Sequence, residues 1–323
     1  MRHFLPAILL HLLLPLSSCV EYCDIESQDP ELLVINMLAS PDSVLSLSLT
    51  HSWPHSFTTV PDVTVSDAVV TVSLNSGPDM PMSFDPATRR YILRHPVAEG
   101  DSIYVSASSV QYGQASASTR IPRSVKIDRW SFTPVEITDP DGIVEDGQSW
   151  SYLRRLEFEY SITFTDPADE ENYYLLACRP YYDFGGGTSD DPILSENDTP
   201  LEAVFTKNKS FIVFSDRNIS GHTYTLTCTT SYIPFIPVDE LSSGRITDRI
   251  SLCSISRDYY LYLLSLYKKY GELNGNLEDL GLTEPKAIYT NVHSGIGIFA
   301  SQSADTIAND VHDLVLRFAG LIP

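Results

Sequence analysis

From Leu156 to Phe164 the sequence alternates without a break: Leu156, Phe158, Tyr160, Ile162 and Phe164 are apolar, and Glu157, Glu159, Ser161 and Thr163 separate them. A period of two sends every second side chain to the same face of an extended strand, so the run predicts one face in a core and the other in water. Leu45, Leu47 and Leu49 interleave with Ser46, Ser48 and Thr50 in the same way. Similar runs occupy residues 32–38, 68–74, 90–94, 102–108, 125–130, 173–179, 210–214, 222–229, 250–255 and 287–292. Ser76-Gly77-Pro78, Glu99-Gly100-Asp101, Asp141-Gly142 and Ser220-Gly221 supply turns between many of them. Many short strands joined by turns pack as antiparallel sandwiches, not as a parallel α/β sheet.

One segment breaks the period. Ser256 suits a helix N-cap, residues 257–270 carry Tyr260, Leu263, Leu264 and Tyr267 at helical spacing, and Gly271 stands where a helix ends. The stripe predicts a helix laid on the core. Ile121-Pro122-Arg123 closes the first group of strands, and the hydrophilic residues 139–151 precede the second, which places a boundary within 121–150. A polar insertion over residues 181–200, with Gly185-Gly186-Gly187 and Asp190-Asp191, is long for a connection without function.

The first residues read as an export signal. Met1-Arg2-His3 is followed by an apolar stretch from Phe4 to Leu16 and the small residues Ser17 and Ser18, too short for the roughly 20 apolar residues of a spanning helix. Leu16-Ser17-Ser18-Cys19 resembles a bacterial lipobox, so residues 1–18 are expected to be removed and Cys19 to be acylated as the new first residue. Two or three acyl chains give lasting attachment where one gives only marginal attachment. Residues 19–30 form the expected tether. No Lys or Arg occurs from Val20 to Ala87, while Glu21, Asp24, Glu26, Asp29 and Glu31 crowd the tether, as in a solvated linker or an acidic export signal.

The chain carries 42 acidic and 21 basic residues, a formal charge of −21, and loses one more cation with Arg2. Nucleic acid is a poor partner for such a surface, because binding it rests on Lys and Arg neutralising phosphates. Beyond Cys19 the cysteines are Cys23, Cys178, Cys228 and Cys253. In an oxidising compartment four thiols allow two bridges in three pairings. Cys178 and Cys228 lie in strand-like runs, where a bridge and a pair of buried thiols both fit.

Several separated segments together resemble the Bacteroidota lipoprotein family catalogued as domain of unknown function 4249. They are the lipobox followed by Pro30-Glu31-Leu32-Leu33-Val34-Ile35-Asn36, then Val65-Ser66-Asp67-Ala68, Glu99-Gly100-Asp101, Ile121-Pro122, Phe164-Thr165-Asp166-Pro167, Glu171-Asn172-Tyr173-Tyr174 and Phe214-Ser215-Asp216. The end adds Ser256-Arg257-Asp258-Tyr259-Tyr260, Glu284-Pro285, Tyr289-Thr290-Asn291-Val292 and Gly295-Ile296-Gly297-Ile298-Phe299. Ala300 and Ser301 stand where another glycine is expected. The resemblance implies a partner of a TonB-dependent outer-membrane transporter and a transthyretin-like first half, and it carries no catalytic residues. The fold expected is mainly β: an N-terminal Ig/transthyretin-like β-sandwich over residues 31–124, then a second antiparallel β domain over 150–323 with one or few helices, one near 257–270. In the closing motif Asn291, Gly295 and Gly297 suit a bend or a close backbone approach, and Phe299 suits a core.

Motifs for chemistry are sparse. His51 and His55 sit four apart, but Pro54 argues for a loop instead of a metal-binding helix. Asp139-Pro140-Asp141-Gly142-Ile143-Val144-Glu145-Asp146 offers four carboxylates without full EF-hand spacing, and a solvated linker is the simpler reading. The sequence lacks a Gly-x-Ser-x-Gly elbow, a His-Glu-x-x-His pair and a P-loop, and no metal or cofactor is expected. Eighteen tyrosines suit stacking and hydrogen bonding. Tyr181, Tyr182 and Phe184, beside the glycine-rich insertion, are the expected recognition surface for a ligand such as a peptide or glycan. The function expected is that of a lipid-anchored outer-membrane binding protein, not an enzyme, serving a TonB-dependent transporter in nutrient capture. A structural or adhesive surface module is the alternative, and an envelope hydrolase the third reading.

Overall fold

The computed structural model describes residues 30–41, 43–53, 62–146, 149–182, 190–194, 204–205, 211–232, 245–270, 287–318, 320 and 322–323. The first half supplies β1 (Leu33–Ala39), β2 (Leu45–His51), β3 (Val69–Leu74), β4 (Met80–Pro81), β5 (Ser83–Asp85), β6 (Arg90–Leu93), β7 (Ser102–Ser109) and β8 (Gly113–Arg120). The second half continues with β9 (Ile127–Asp146), β10 (Ser149–Thr165), β11 (Tyr173–Tyr182), β12 (Asp190–Leu194), β13 (Val204–Phe205), β14 (Phe211–Ser215), β15 (Thr223–Tyr232) and β16 (Ile246–Ile255). Helix α1 (Arg257–Tyr270), strand β17 (Ile296–Asp310) and helix α2 (His312–Phe318) complete it. The protein is mainly β, with several antiparallel sheets packed as sandwiches.

Among the described residues the strands form one nine-stranded sheet, β13-β14-β11-β16-β17-β1-β2-β6-β5, and two four-stranded sheets, β12-β15-β10-β9 and β4-β3-β7-β8. Each small sheet covers a different half of the large one. Leu33, Ile35, Leu47 and Leu49 meet Val70, Val72, Ile103, Val105 and Ala117 in the first sandwich. Phe158, Tyr160, Ile162 and Phe164 meet Tyr174, Leu176, Phe214, Ile250 and Leu252 in the second, with Val315 and Phe318 of α2 closing its end. Helix α1 lies on the opposite face of the large sheet, where Leu263 packs with Tyr173, Leu175, Val213 and Cys253.

Strand β17 belongs to both halves. Its first residues pair in parallel with β1, Val34 with Ile296 through Ala39 with Ser301. The remainder pairs antiparallel with β16, Ile255 with Gln302 through Thr247 with Asp310. Gly297 makes the join possible: its φ is +106°, and a Cβ there would lie 2.2 Å from the Ile35 carbonyl oxygen. Gly295 is equally constrained, since a Cβ at that position would fall 2.6 Å from the Leu33 carbonyl oxygen. Phe299 is fully buried in the first core, as its type suggested.

The connection between the sandwiches is sewn to β17 by short polar side chains. Ser301 Oγ donates to the Arg120 carbonyl at 2.7 Å, and Ser303 Oγ donates to the Pro122 carbonyl at 2.7 Å. The Ile127 amide donates to Asp305 at 2.9 Å. Ser301, where the motif suggests glycine, thus uses its hydroxyl as a buried tie.

Three local readings change. Residues 287–292 form no strand; a bridge between His293 and Ser116 follows them, and the strand begins at Ile296. Residues 139–146, which read as a hydrophilic linker, continue β9 along β10. Strand β8 falls outside the alternating runs, because its inward residues are the small Ala115, Ala117 and Thr119.

Candidate functional site

Between the sandwiches lies a cleft of about 420 Å³, and the segments that mark this sequence converge on it. From the first sandwich come Gly100, the end of β8 at Thr119 and Arg120, and Ile121, Pro122 and Arg123. From the second come residues 169–173 and residues 254–258, where β16 passes into α1.

The acidic wall is held by a hydrogen-bonded corner. Asp166, 2% exposed, accepts a hydrogen bond from the Tyr174 hydroxyl and another from the Gly221 amide at 3.0 Å. Asp216, 3% exposed, accepts from the Asn172 amide at 2.8 Å, and its own amide donates to the Asn172 carbonyl at 3.0 Å. Burial pushes the Asp216 carboxyl above its ordinary value, and burial beside Asp166 pushes the Tyr174 phenol up. The Asn172 side chain donates to the Glu170 carbonyl at 3.2 Å. These bonds fix the turn before β11 and leave Asp169, Glu170 and Glu171 exposed at the cleft.

The floor is aromatic. Tyr173 packs on Tyr260 of α1 with ring centres 4.7 Å apart, and its hydroxyl bonds to Glu171 and Arg257. Burial first, then Glu171, pushes that phenol up to about 12. Ser256 caps α1 as the sequence predicted, its Oγ accepting from the Tyr259 amide at 3.3 Å. Asp258, in the first helical turn, accepts from the Tyr289 hydroxyl at 2.5 Å and from Asn291 Nδ2 at 3.3 Å. Asn291 also donates to the Phe299 carbonyl at 2.9 Å and accepts from the Phe299 amide at 3.0 Å. The closing motif therefore braces the helix end against β17.

The opposite wall is cationic. Arg120 Nε donates to the Gly100 carbonyl at 3.2 Å, and the Gly100 amide donates to the Ile121 carbonyl at 2.8 Å. Arg123 projects from the connection and is exposed. Sequence reasoning did not select Arg120, Arg123, Asp169 or Arg257 as site residues. Their one signal in the sequence is the set of motifs holding their neighbours, whose convergence only the fold reveals.

Two of the residues expected to form a recognition surface lie elsewhere. Tyr181 and Tyr182 end β11, paired with Thr247 and Ile246, while Tyr173 begins it at the cleft. The two ends are roughly 30 Å apart at about 3.3 Å per residue. Phe184, Cys19, Cys23 and His55 lie outside the described residues. His51 stacks on Tyr112 with centres 4.5 Å apart and lies 3.3 Å from Glu31. Among the described residues Cys178, Cys228 and Cys253 are buried and form no disulfide, and no group of three or more His, Cys, Asp or Glu is placed to hold a metal ion.

A second polar cluster is sealed inside the second sandwich. Asp248, fully buried, accepts from the Tyr160 hydroxyl at 2.5 Å, and Asn309 Nδ2 donates to the same hydroxyl at 2.9 Å. Burial raises the Asp248 carboxyl from 3.8 to about 6, against the lowering effect of the Tyr160 bond. The cluster lies apart from the cleft residues and braces the two sheets.

No curated protein matches the chain. A family does: residues 21–308 match Domain of unknown function (DUF4249), so the convergent segments of the cleft lie within the matched span and the chain belongs to that family.

Proposed function

We propose that this is a lipid-anchored outer-membrane binding protein that serves a TonB-dependent transporter in nutrient capture, with the cleft between its sandwiches as the binding site. The observation that carries the reading is the convergence at the cleft of segments scattered from Gly100 to Asp258, presenting an arginine wall to a carboxylate wall. Such an arrangement binds by charge complementarity and needs no covalent step. The best-ordered acids nearby have structural employment, Asp166 and Asp216 in the turn before β11 and Asp258 in the bracing of α1. Tyr181 and Tyr182, which end β11, are proposed together with Phe184 as a second surface for the partner. Cys19, acylated after removal of residues 1–18, holds the protein at the bilayer.

The test is a pair of preparations, the native chain and Cys19→Ser, each fractionated by membrane and extracted in mild detergent. The native chain is expected in the outer membrane with a fatty-acylated N-terminal peptide and a co-purifying large β-barrel protein, and Cys19→Ser outside it. An unmodified N-terminal peptide on an outer-membrane protein would overturn the anchor, and a native extract free of any barrel protein would overturn the transporter role.

A further inference from the structure

We infer that the cleft takes a short peptide with both ends free, its carboxylate held by Arg120 and Arg123 and its ammonium by Asp169 and Glu170. The inference rests on the cleft being the binding site, and adds what occupies it.

Basic side chains are scarce in this protein, 21 among 323 residues, yet Arg120, Arg123 and Arg257 all line one cleft. In so acidic a chain, scattered surface charge would not gather cations there. Arg257 lies on the second-sandwich side, engaged at the Tyr173 hydroxyl; the other charges are sorted by wall. Arg120 and Arg123 belong to the first sandwich and the connection, and Asp169, Glu170 and Glu171 to the turn before β11.

Several of these charges are already engaged within the protein. Arg257 and Glu171 share the Tyr173 hydroxyl, and Asp258 holds Tyr289 and Asn291. Among the described residues Arg120 spends only its Nε on the Gly100 carbonyl, leaving its two terminal amino groups. The side chains of Arg123, Asp169 and Glu170 have no hydrogen bond or ion pair among the described residues. The available groups are therefore a guanidinium pair on one wall and a carboxylate pair on the other.

That sorting discriminates between ligand classes. A phosphorylated ligand meets the carboxylate wall with repulsion, and a polyamine meets the arginine wall likewise. A neutral glycan leaves both walls unmatched and desolvated. A dipolar molecule satisfies both: guanidinium forks pair with a terminal carboxylate, and carboxylates accept from an ammonium. The cavity, about 420 Å³, falls at the smaller end of small-ligand sites and suits a peptide of few residues. Tyr173 and Ile255 offer the floor on which its side chains rest.

The experiment is calorimetric titration of the full mature chain, in detergent, with trialanine and with its N-acetylated and C-amidated forms. Free trialanine is expected to bind, and each cap to weaken it about tenfold or more, the scale of one lost charge-assisted contact. Arg123→Glu is expected to abolish discrimination against the amide, and Glu170→Lys discrimination against the acetyl form. Both positions are exposed, so unchanged melting temperatures separate lost binding from lost folding. Equal binding of free and capped peptides, or no binding of any, overturns the inference. Loss of the barrel partner with peptide binding intact removes the transporter role and leaves this ligand standing.

Discussion

The first sandwich is filled mostly by aliphatic side chains, Leu33, Ile35, Leu45, Leu47, Val72, Ile103 and Val105 among them, with Tyr91 and Phe299 as its buried rings. The second is filled by rings, Phe158, Tyr160, Phe164, Tyr174 and Phe214, and it encloses the carboxylates of Asp166 and Asp248. Packing in the first is a matter of volume, which pH does not touch. In the second, two phenols are oriented by buried acids, so sheet spacing and protonation are coupled. The sandwich beside the acidic cleft wall is thus the one whose interior responds to protons.

Truncation gives the largest test of this contrast. Phe158→Ala removes a fully buried ring that meets Phe132 edge-on at 5.9 Å and is expected to destabilise by about 4 kcal/mol, against about 3 kcal/mol for Leu47→Ala in the aliphatic core. Because β17 runs through both halves, chemical denaturation should show one transition shifted by either variant. Two separate transitions, each shifted by its own variant alone, would break the picture of joined halves.

Gly297→Ala attacks the join itself. Strain at a positive φ and collision with the Ile35 carbonyl add to roughly 3–4 kcal/mol, measured as a fall in unfolding free energy. A neutral result would mean that the β1–β17 pairing is not made in solution.

Asp248→Asn sharpens the contrast through pH. The folded carboxyl titrates near 6 and the unfolded one near 3.8, so native protein binds the extra proton between these values. Below pH 3.8 both states are protonated and the group imposes no penalty. Through 6 the wild type loses about 3 kcal/mol relative to the variant, since folding then opposes ionisation. Melting followed from pH 4 to pH 8 should therefore show the two curves diverging as pH rises; parallel curves would place Asp248 in water.

Ser256→Ala is the mildest change, about 1 kcal/mol for one lost cap, read by thermal melting. A larger loss would show that Ser256 matters more through the Ser301 amide, which donates to the same Oγ at 3.3 Å.

Much of this architecture was legible from periodicity. Residues 156–164 and 45–50 alternate because one face of each is fully buried and the other, Thr163 excepted, is not. Helix α1 was legible from its cap and aromatic stripe. Strand β17 was not, since Ile298, Phe299, Ala300 and Ser301 are all buried: α1 and the sandwich interior cover both faces, and the alternation vanishes. The polar end of β9 hid for the opposite reason, as an edge strand it shares with β10 alone. The cleft was legible only in fragments. Its arginines lie next to turns and caps in the sequence, and long-range pairing decides that they face carboxylates.

The shared strand also orders events in time. During synthesis, β1 exposes an unpaired backbone edge until residues 296–301 emerge, since each of residues 34–39 pairs with one 262 positions later. Until then the first half is an unfinished sheet, and closure of the large sheet waits on β17.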